Sequence, residues 1–304
     1  MTHPELSIEL TGLEMNNPTI LAAGILGTTG ASLKRIASAG AGAVVTKSIG
    51  AIPEQGHPNP SLVALECGLL NAMGLPNPSY KEFNDELITA KEGDIPVIVS
   101  IFGSCCEEFC EIIEGLEGAD AFELNLSCPH SQQYGAAVGT DPVLVEKITR
   151  AAKTIASVPI WVKLTPNVTD IVTIGEAASR GGADAVVAIN TIRGMAIDIY
   201  SGYPILGNLY GGLSGAAIRP VAVKCIHDLY RALDIPVIGV GGVSKWQDAV
   251  EMMMAGASAV QIGSAIYDNF TVFSEINEAF LTYLISRDLI IDDIIGLAHR
   301  RVEQ

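Results

Sequence analysis

This sequence predicts an α/β fold, a (βα)8 TIM barrel forming one domain over residues 1–304. Three observations predict it. Eight short apolar segments recur along the chain, they alternate between two types, and helical patterns separate them. Near-continuous apolar runs suit parallel strands buried on both faces. Alternation of two types favours closure, because a barrel interior is layered from alternate strands. An open doubly wound sheet is the competitor, but the stretch GILGTTG at 24–30 lacks the GxGxxG spacing of a dinucleotide fingerprint.

Residues 6–15 alternate apolar and polar around Thr11-Gly12, a hairpin signal placed to cap one end of the fold with an N-terminal β-hairpin. Four segments then open on proline: PTILAA at 18–23, PVIVS at 96–100, PIWVKL at 159–164 and PVIGV at 236–240. The other four open Gly-Ala-x-Ala: GAGAVVTK at 40–47, GADAFELN at 118–125, GADAVVAIN at 182–190 and GASAVQIG at 256–263. Asp141-Pro142 starts a helix, an N-cap followed by Pro at the first position, with Leu144, Ile148, Ala151 and Ile155 on one face. Ser244 and Gln247 fit a capping box. Trp246, Ala249, Val250, Met253 and Met254 follow at helical spacing, and Gly256 ends that helix. The methionines read as core packing.

Strand starts fall near 18, 42, 96, 120, 159, 184, 236 and 259, leaving long intervals after strands 2, 4 and 6. The surplus residues lie at 50–93, 129–141 and 193–215. The βα loops build the active-site face of such barrels, so these three form a lid or a substrate pocket.

The formal net charge of −16, with 18 Lys+Arg, leaves no basic surface for nucleic acid or an anionic membrane. No apolar run approaches the roughly 18 residues of a membrane span. The start, MTHPE, lacks the pattern of an export signal, so a soluble, cytoplasmic protein is expected. The cysteines at 67, 105, 106, 110, 128 and 225 form no CxxC pair, and disulfides are not expected. Cys105, Cys106 and Cys110 lack the spacing and fourth ligand of a metal site and read as partly buried helix residues.

Chemistry concentrates at the strand ends. The run ELNLSCPH at 123–130 passes from a buried strand into a hydroxyl, a thiol and a proline. Cys128 is the residue there able to move a proton; a buried turn cysteine is the alternative. Glycines follow strands seven and eight, in GVGGV at 239–243 and QIGSA at 261–265, as in a barrel phosphate site. Lys47 and Lys163 end apolar runs, where a charge is costly unless it meets an anion. Asn71, Asn125, Asn190 and Thr191 add amides and a hydroxyl. Such a set suits a flat polar heterocycle bearing a carboxylate. It offers no metal site and no Ser-His-Asp triad.

These segments resemble dihydroorotate dehydrogenase, specifically the catalytic subunit of the type 1B enzymes in class 1 of that family. The matches span most of the chain: TKS at 46–48, LNAMGL at 70–75, NLSCP at 125–129, VKLTPNVTD at 162–170, INT at 189–191, GGLSG at 211–215, GVGG at 239–242 and IGS at 262–264. The resemblance implies FMN over the barrel mouth, contacted by Ala23, Lys47, Ser48, Ser100, Asn125, Lys163, Ile189, Gly215, Gly241, Gly242, Gly263 and Ser264. Lys47, Asn71, Ala72, Met73, Gly74, Leu75, Asn125, Asn190 and Thr191 would hold dihydroorotate or orotate. Cys128 would take a proton from C5 while hydride passes from C6 to the flavin, and Lys163 would stabilise the reduced flavin.

Electrons would leave to NAD+ through a partner subunit carrying FAD and a [2Fe–2S] cluster, in a heterotetramer with a homodimer core. Three positions depart from the family pattern. His130 and Ser100 each stand where an Asn is common, and the loop 56–61, ending at Ser61, lacks an arginine often found there. Two other readings share the residues: a related FMN-dependent dihydropyrimidine dehydrogenase, and a non-redox lyase or aldolase with Lys163 as Schiff-base amine.

Overall fold

The computed structural model describes residues 4–126 and 138–302. The hairpin is β1 (Ile8–Leu10) and β2 (Leu13–Met15), paired antiparallel. The chain continues through β3 (Thr19–Leu21), α1 (Gly30–Ser38) and β4 (Ala43–Val45). A second hairpin, β5 (Leu62–Leu65) and β6 (Gly68–Asn71), precedes α2 (Asn84–Lys91) and β7 (Val97–Ile101). Then come α3 (Cys106–Gly115), β8 (Ala121–Asn125), α4 (Pro142–Ile155), β9 (Ile160–Leu164), α5 (Ile171–Arg180) and β10 (Ala185–Ala188). Two short strands, β11 (Ile192–Gly194) and β12 (Gly211–Ser214), lead to α6 (Arg219–Ala232), β13 (Val237–Val240), α7 (Trp246–Met254), β14 (Ala257–Ile262) and α8 (Val272–Arg287).

Strands β3, β4, β7, β8, β9, β10, β13 and β14 close a parallel barrel in that order. They are the eight segments expected from the sequence. The two segment types have a steric meaning. The second residue after each opening proline faces inward: Ile20, Ile98, Trp161 and Ile238. So does the second alanine of each Gly-Ala-x-Ala: Ala43, Ala121, Ala185 and Ala259. Large and small side chains therefore alternate around the barrel, which lets one tryptophan and three isoleucines fill it at close-packed density.

Leu10 and Met15 join this interior cluster, and Trp161 Nε1 donates to Thr11 Oγ1 at 3.0 Å. The hairpin thus closes the N-terminal end, as expected. Intervening residues such as Val99, Leu124, Val162 and Val260 face outward and pack beneath the helices. Because side chains alternate along a strand, the next inward positions are Ser100 on β7, Glu123 on β8, Lys163 on β9 and Gln261 on β14, all buried. The layer below the mouth is therefore polar on these four strands and apolar on the other four, where Ala22, Val45, Val187 and Val240 face inward.

Two local expectations shift. Asp141 caps α4 as foreseen, accepting from Val143 N at 2.9 Å. The buried stripe of that helix is Val145, Ile148, Thr149 and Ala152, rotated about one residue from Leu144, Ala151 and Ile155, which lie at its margin. Helix α7 is capped by Asp248, whose Oδ2 accepts from Ser244 N at 3.0 Å and Lys245 N at 3.2 Å; Gln247 is exposed. Met252 and Met253 are buried in the core. Cys105, Cys106 and Cys110 are partly exposed at and on α3, and burial pushes the Cys106 and Cys110 thiols up.

A second sheet, at the barrel mouth, was not among the expectations. Strands β11, β12, β6 and β5 pair in that order, joining the loop after the second barrel strand to the loop after the sixth. The junction sets Asn71, Leu70 and Leu69 against Gly212, Leu213 and Ser214. Leu70, Ala72 and Leu206 form a small apolar core beneath it.

Candidate active site

The C-terminal ends of the barrel strands surround a cavity of about 720 Å³. That volume is in the range of small-molecule and cofactor sites, roughly 300–1,000 Å³. Its floor and walls come from residues just past the strands: Ala23 after β3, Lys47 and Ser48 after β4, Asn125 ending β8, and Lys163 on β9. Ile189, Asn190 and Thr191 follow β10, Gly241 and Gly242 follow β13, and Gly263 and Ser264 follow β14. The second sheet, at the mouth, contributes Asn71, and the segments just past its strands contribute Ala72, Met73, Gly74, Leu75 and Gly215. Every residue named from the sequence as a ligand contact lines this cavity except Ser100. Cys128, His130 and the rest of 127–137 lie outside the described residues. Asn125 and Thr140, which flank that segment, are both on the cavity wall.

Ser100 stands behind the wall. Its hydroxyl is 2.9 Å from Ser48 Oγ, which accepts from Asn125 Nδ2 at 3.0 Å. Asn125 Oδ1 accepts in turn from Asn190 Nδ2 at 3.2 Å, and Asn190 Oδ1 from Thr191 N at 2.7 Å. A chain of hydroxyls and amides thus runs from β7 to the end of β10. Each buried polar group is held by its neighbour, so the side chains reaching the cavity are oriented before any ligand arrives. Ser100 supports Ser48 and is not itself a wall residue.

The two lysines differ. Lys163 Nζ donates to Glu123 Oε1 at 3.2 Å and to Gln261 Oε1 at 3.0 Å, and Gln261 Nε2 donates to Glu123 Oε2 at 2.7 Å. The anion expected for Lys163 is therefore a carboxylate of the chain itself. With Nζ already held by two acceptors of the chain, the geometry tells against the Schiff-base reading. Lys47 is also buried; burial pushes its ammonium down, and no carboxylate among the described residues pairs with it. It awaits an anion from outside the fold.

Glycine opens the remaining wall. Gly241 and Gly242 have φ of +132° and +80°, a region costly for side-chain-bearing residues. A Cβ on Gly242 would stand 2.7 Å from Gly215 O. Backbone N–H groups at such turns can meet a phosphate directly.

A family model, Dihydroorotate dehydrogenase, matches residues 5–284. The chain belongs to the dihydroorotate dehydrogenase family. A relative from Methanocella arvoryzae, "Dihydroorotate dehydrogenase B (NAD(+)), catalytic subunit", is 64% identical over 96% of this chain and 97% of its own. One of the same name from Methanosarcina mazei is 65% identical over 98% of this chain and 96% of its own. Among solved structures, that of "DHODH in complex with ferulenol from Eimeria tenella" superposes with a TM-score of 0.85 at 23% identity, covering 98% of this chain and 90% of that one. That likeness carries the barrel fold.

The sequence reading missed wall residues that the family motif contained. Thr165 and Asn167, inside VKLTPNVTD, line the cavity. Asn167 Nδ2 donates to Thr191 O at 3.0 Å, and its Oδ1 accepts from Arg193 N at 2.9 Å. It fastens the end of the fifth barrel strand to the loop after the sixth. Two polar residues just past a strand end were the available signal. Among the described residues no group of His, Cys, Asp and Glu could hold a metal, and no helix is long and apolar enough to cross a membrane.

Proposed function

We propose that the chain is the catalytic subunit of an NAD+-linked dihydroorotate dehydrogenase, oxidising dihydroorotate to orotate in pyrimidine (UMP) biosynthesis with FMN as its cofactor. The observation that carries this reading is Lys47, a buried cation with no paired carboxylate among the described residues, on the wall of a cofactor-sized cavity in a chain of this family. FMN and a carboxylated pyrimidine each bring the missing negative charge. Gly263 leaves open space on the wall, where a Cβ would meet only Ala22 Cβ, at 3.5 Å; at Gly215 and Gly242 the backbone itself is packed close, a Cβ standing 2.7 Å from Gly68 Cα and from Gly215 O respectively.

In this reading Ala23, Ser48, Asn125, Lys163, Ile189, Gly215, Gly241, Gly242, Gly263 and Ser264 hold FMN together with Lys47. Bound FMN supplies a hydride acceptor. Lys47, Asn125, Asn190, Thr191 and the stretch Asn71, Ala72, Met73, Gly74 and Leu75 orient the substrate. Cys128 takes the proton from C5 of dihydroorotate; a thiol does so only when a neighbouring cation or closure lowers its pKa. The amide chain fixes the orientation of the walls it occupies. The relatives' name, "catalytic subunit", supports a separate partner. We assign FAD and the [2Fe–2S] cluster to that partner, in a heterotetramer around a homodimer, working in the cytoplasm.

The test is an anaerobic spectrum of the purified chain before and after dihydroorotate. Flavin absorbance that bleaches is expected. A colourless chain that takes up no FMN refutes the reading. A bound flavin that responds to dihydrouracil and not to dihydroorotate refutes the substrate. A purified chain that reduces NAD+ unaided at full rate refutes the partner.

A further inference from the structure

The ion pair beneath the cavity is more elaborate than a lysine at a cofactor requires. Glu123 and Gln261 are wholly buried and Lys163 is 5% exposed. Their strands are far apart around the barrel: β14 stands four strands from β8, on the opposite wall, and three from β9. Gln261 reaches across the interior and joins both ends of the pair, donating to Glu123 Oε2 at 2.7 Å and accepting from Lys163 Nζ at 3.0 Å. The three side chains form a closed polar ring. Lys163 alone of the three lines the cavity.

An apolar replacement of a buried pair is often neutral or stabilising, so stability by itself does not account for such a ring. Its electrostatic effect is specific. Glu123 cancels the net charge of Lys163, while Gln261 fixes the direction of the resulting dipole, ammonium toward the cavity and carboxylate behind it. Lys47 supplies a second cation on the wall, without a paired carboxylate among the described residues.

We propose that Glu123 is a positioning residue that sets the charge felt by the bound cofactor: braced by Gln261, it holds the Lys163 ammonium at the cavity wall and offsets its field. This rests on the FMN reading. A reduced flavin carries more negative charge than an oxidised one, so the offset limits how strongly the cavity favours the reduced form. With Glu123→Gln the substituted amide still accepts from the ammonium, and one positive charge is left uncovered.

The test is the ratio of affinities for reduced and oxidised FMN on the full chain, from fluorescence titration and spectroelectrochemistry. Glu123→Gln is expected to raise the ratio about tenfold, as one uncovered charge at low dielectric can, read as a midpoint shift of about +30 mV for two electrons. Lys163→Met is expected to lower it. The double variant, with both charges gone, is expected to return to about the wild-type ratio, which a merely structural role would not produce.

FMN bound with an unchanged or lowered ratio in Glu123→Gln overturns the inference alone. A wild-type chain that takes up no FMN overturns the cofactor reading and the inference with it. Thermal unfolding of the flavin-free proteins gives a readout independent of the cofactor: the double variant should lose less than the two single losses combined. Additive losses overturn the proposed coupling of Glu123 to Lys163.

Discussion

Replacing Lys47 with methionine should strengthen the fold while weakening the site. Methionine keeps most of the stem length and removes the charge. Lys47 is 8% exposed, and burial pushes its ammonium down. Its desolvation is therefore uncompensated until an anion binds, and its removal should raise the stability of the flavin-free chain by about 1 kcal/mol or more. The bound state shows the reverse. A hydrogen bond to a charged partner contributes about 1.5–3 kcal/mol, so orotate affinity should fall about ten- to hundredfold.

A pH signature separates this from ordinary repacking. The unfolded lysine keeps its proton up to about 10.4, whereas the folded one releases it earlier. Between those two values the unfolded state binds more protons, so wild-type stability rises with pH there. The methionine variant should lack that rise. Denaturant titrations of the flavin-free proteins from neutrality upward, with isothermal titration of orotate, check both halves. A variant that is less stable, binds orotate unchanged and keeps the same pH slope would refute the argument.

Other substitutions probe other layers. Cys128→Ala should keep bound FMN and lose most turnover; near wild-type turnover removes Cys128 from the reaction. Trp161→Ala should cost about 3–5 kcal/mol in chemical denaturation, because the ring is fully buried in the barrel interior and its N–H holds the closing hairpin at Thr11. In Gly27→Ala the new Cβ would stand 2.2 Å from Lys47 N. The backbone must shift, at about 1–3 kcal/mol, and KM for dihydroorotate should rise because Lys47 moves with it.

Much of the barrel was legible because its repeat is local. Proline and Gly-Ala-x-Ala mark strand starts, and period-two alternation then carries Lys47, Asn125 and Lys163 to the mouth without knowledge of their partners. Long-range pairings were less legible. Glu123 sits in an otherwise apolar run, and its role as counter-ion emerges only when β8 and β9 are adjacent and in register, Asn125 opposite Lys163. The mouth sheet was missed for the same reason. Its strands are short and half-exposed, and Asn71 meets Gly212 only after half of the barrel strands have intervened. Capping was ambiguous by one residue, since Ser244-Lys245 and Gln247-Asp248 offer two overlapping registers and burial of Asp248 decided between them.

The mouth sheet also constrains how this scaffold can change. Its two halves come from different βα loops, yet they share a hydrogen-bonded ladder, and Gly207 N donates across to Pro60 O at 2.9 Å. Neither loop is an independent module. An insertion in one shifts the register of the other, flipping side chains between the cavity and solvent. Transplanting 50–79 from a distant homologue, without its matching 192–215, would leave a strand edge with the wrong partner. The two loops are a single heritable unit written in two places.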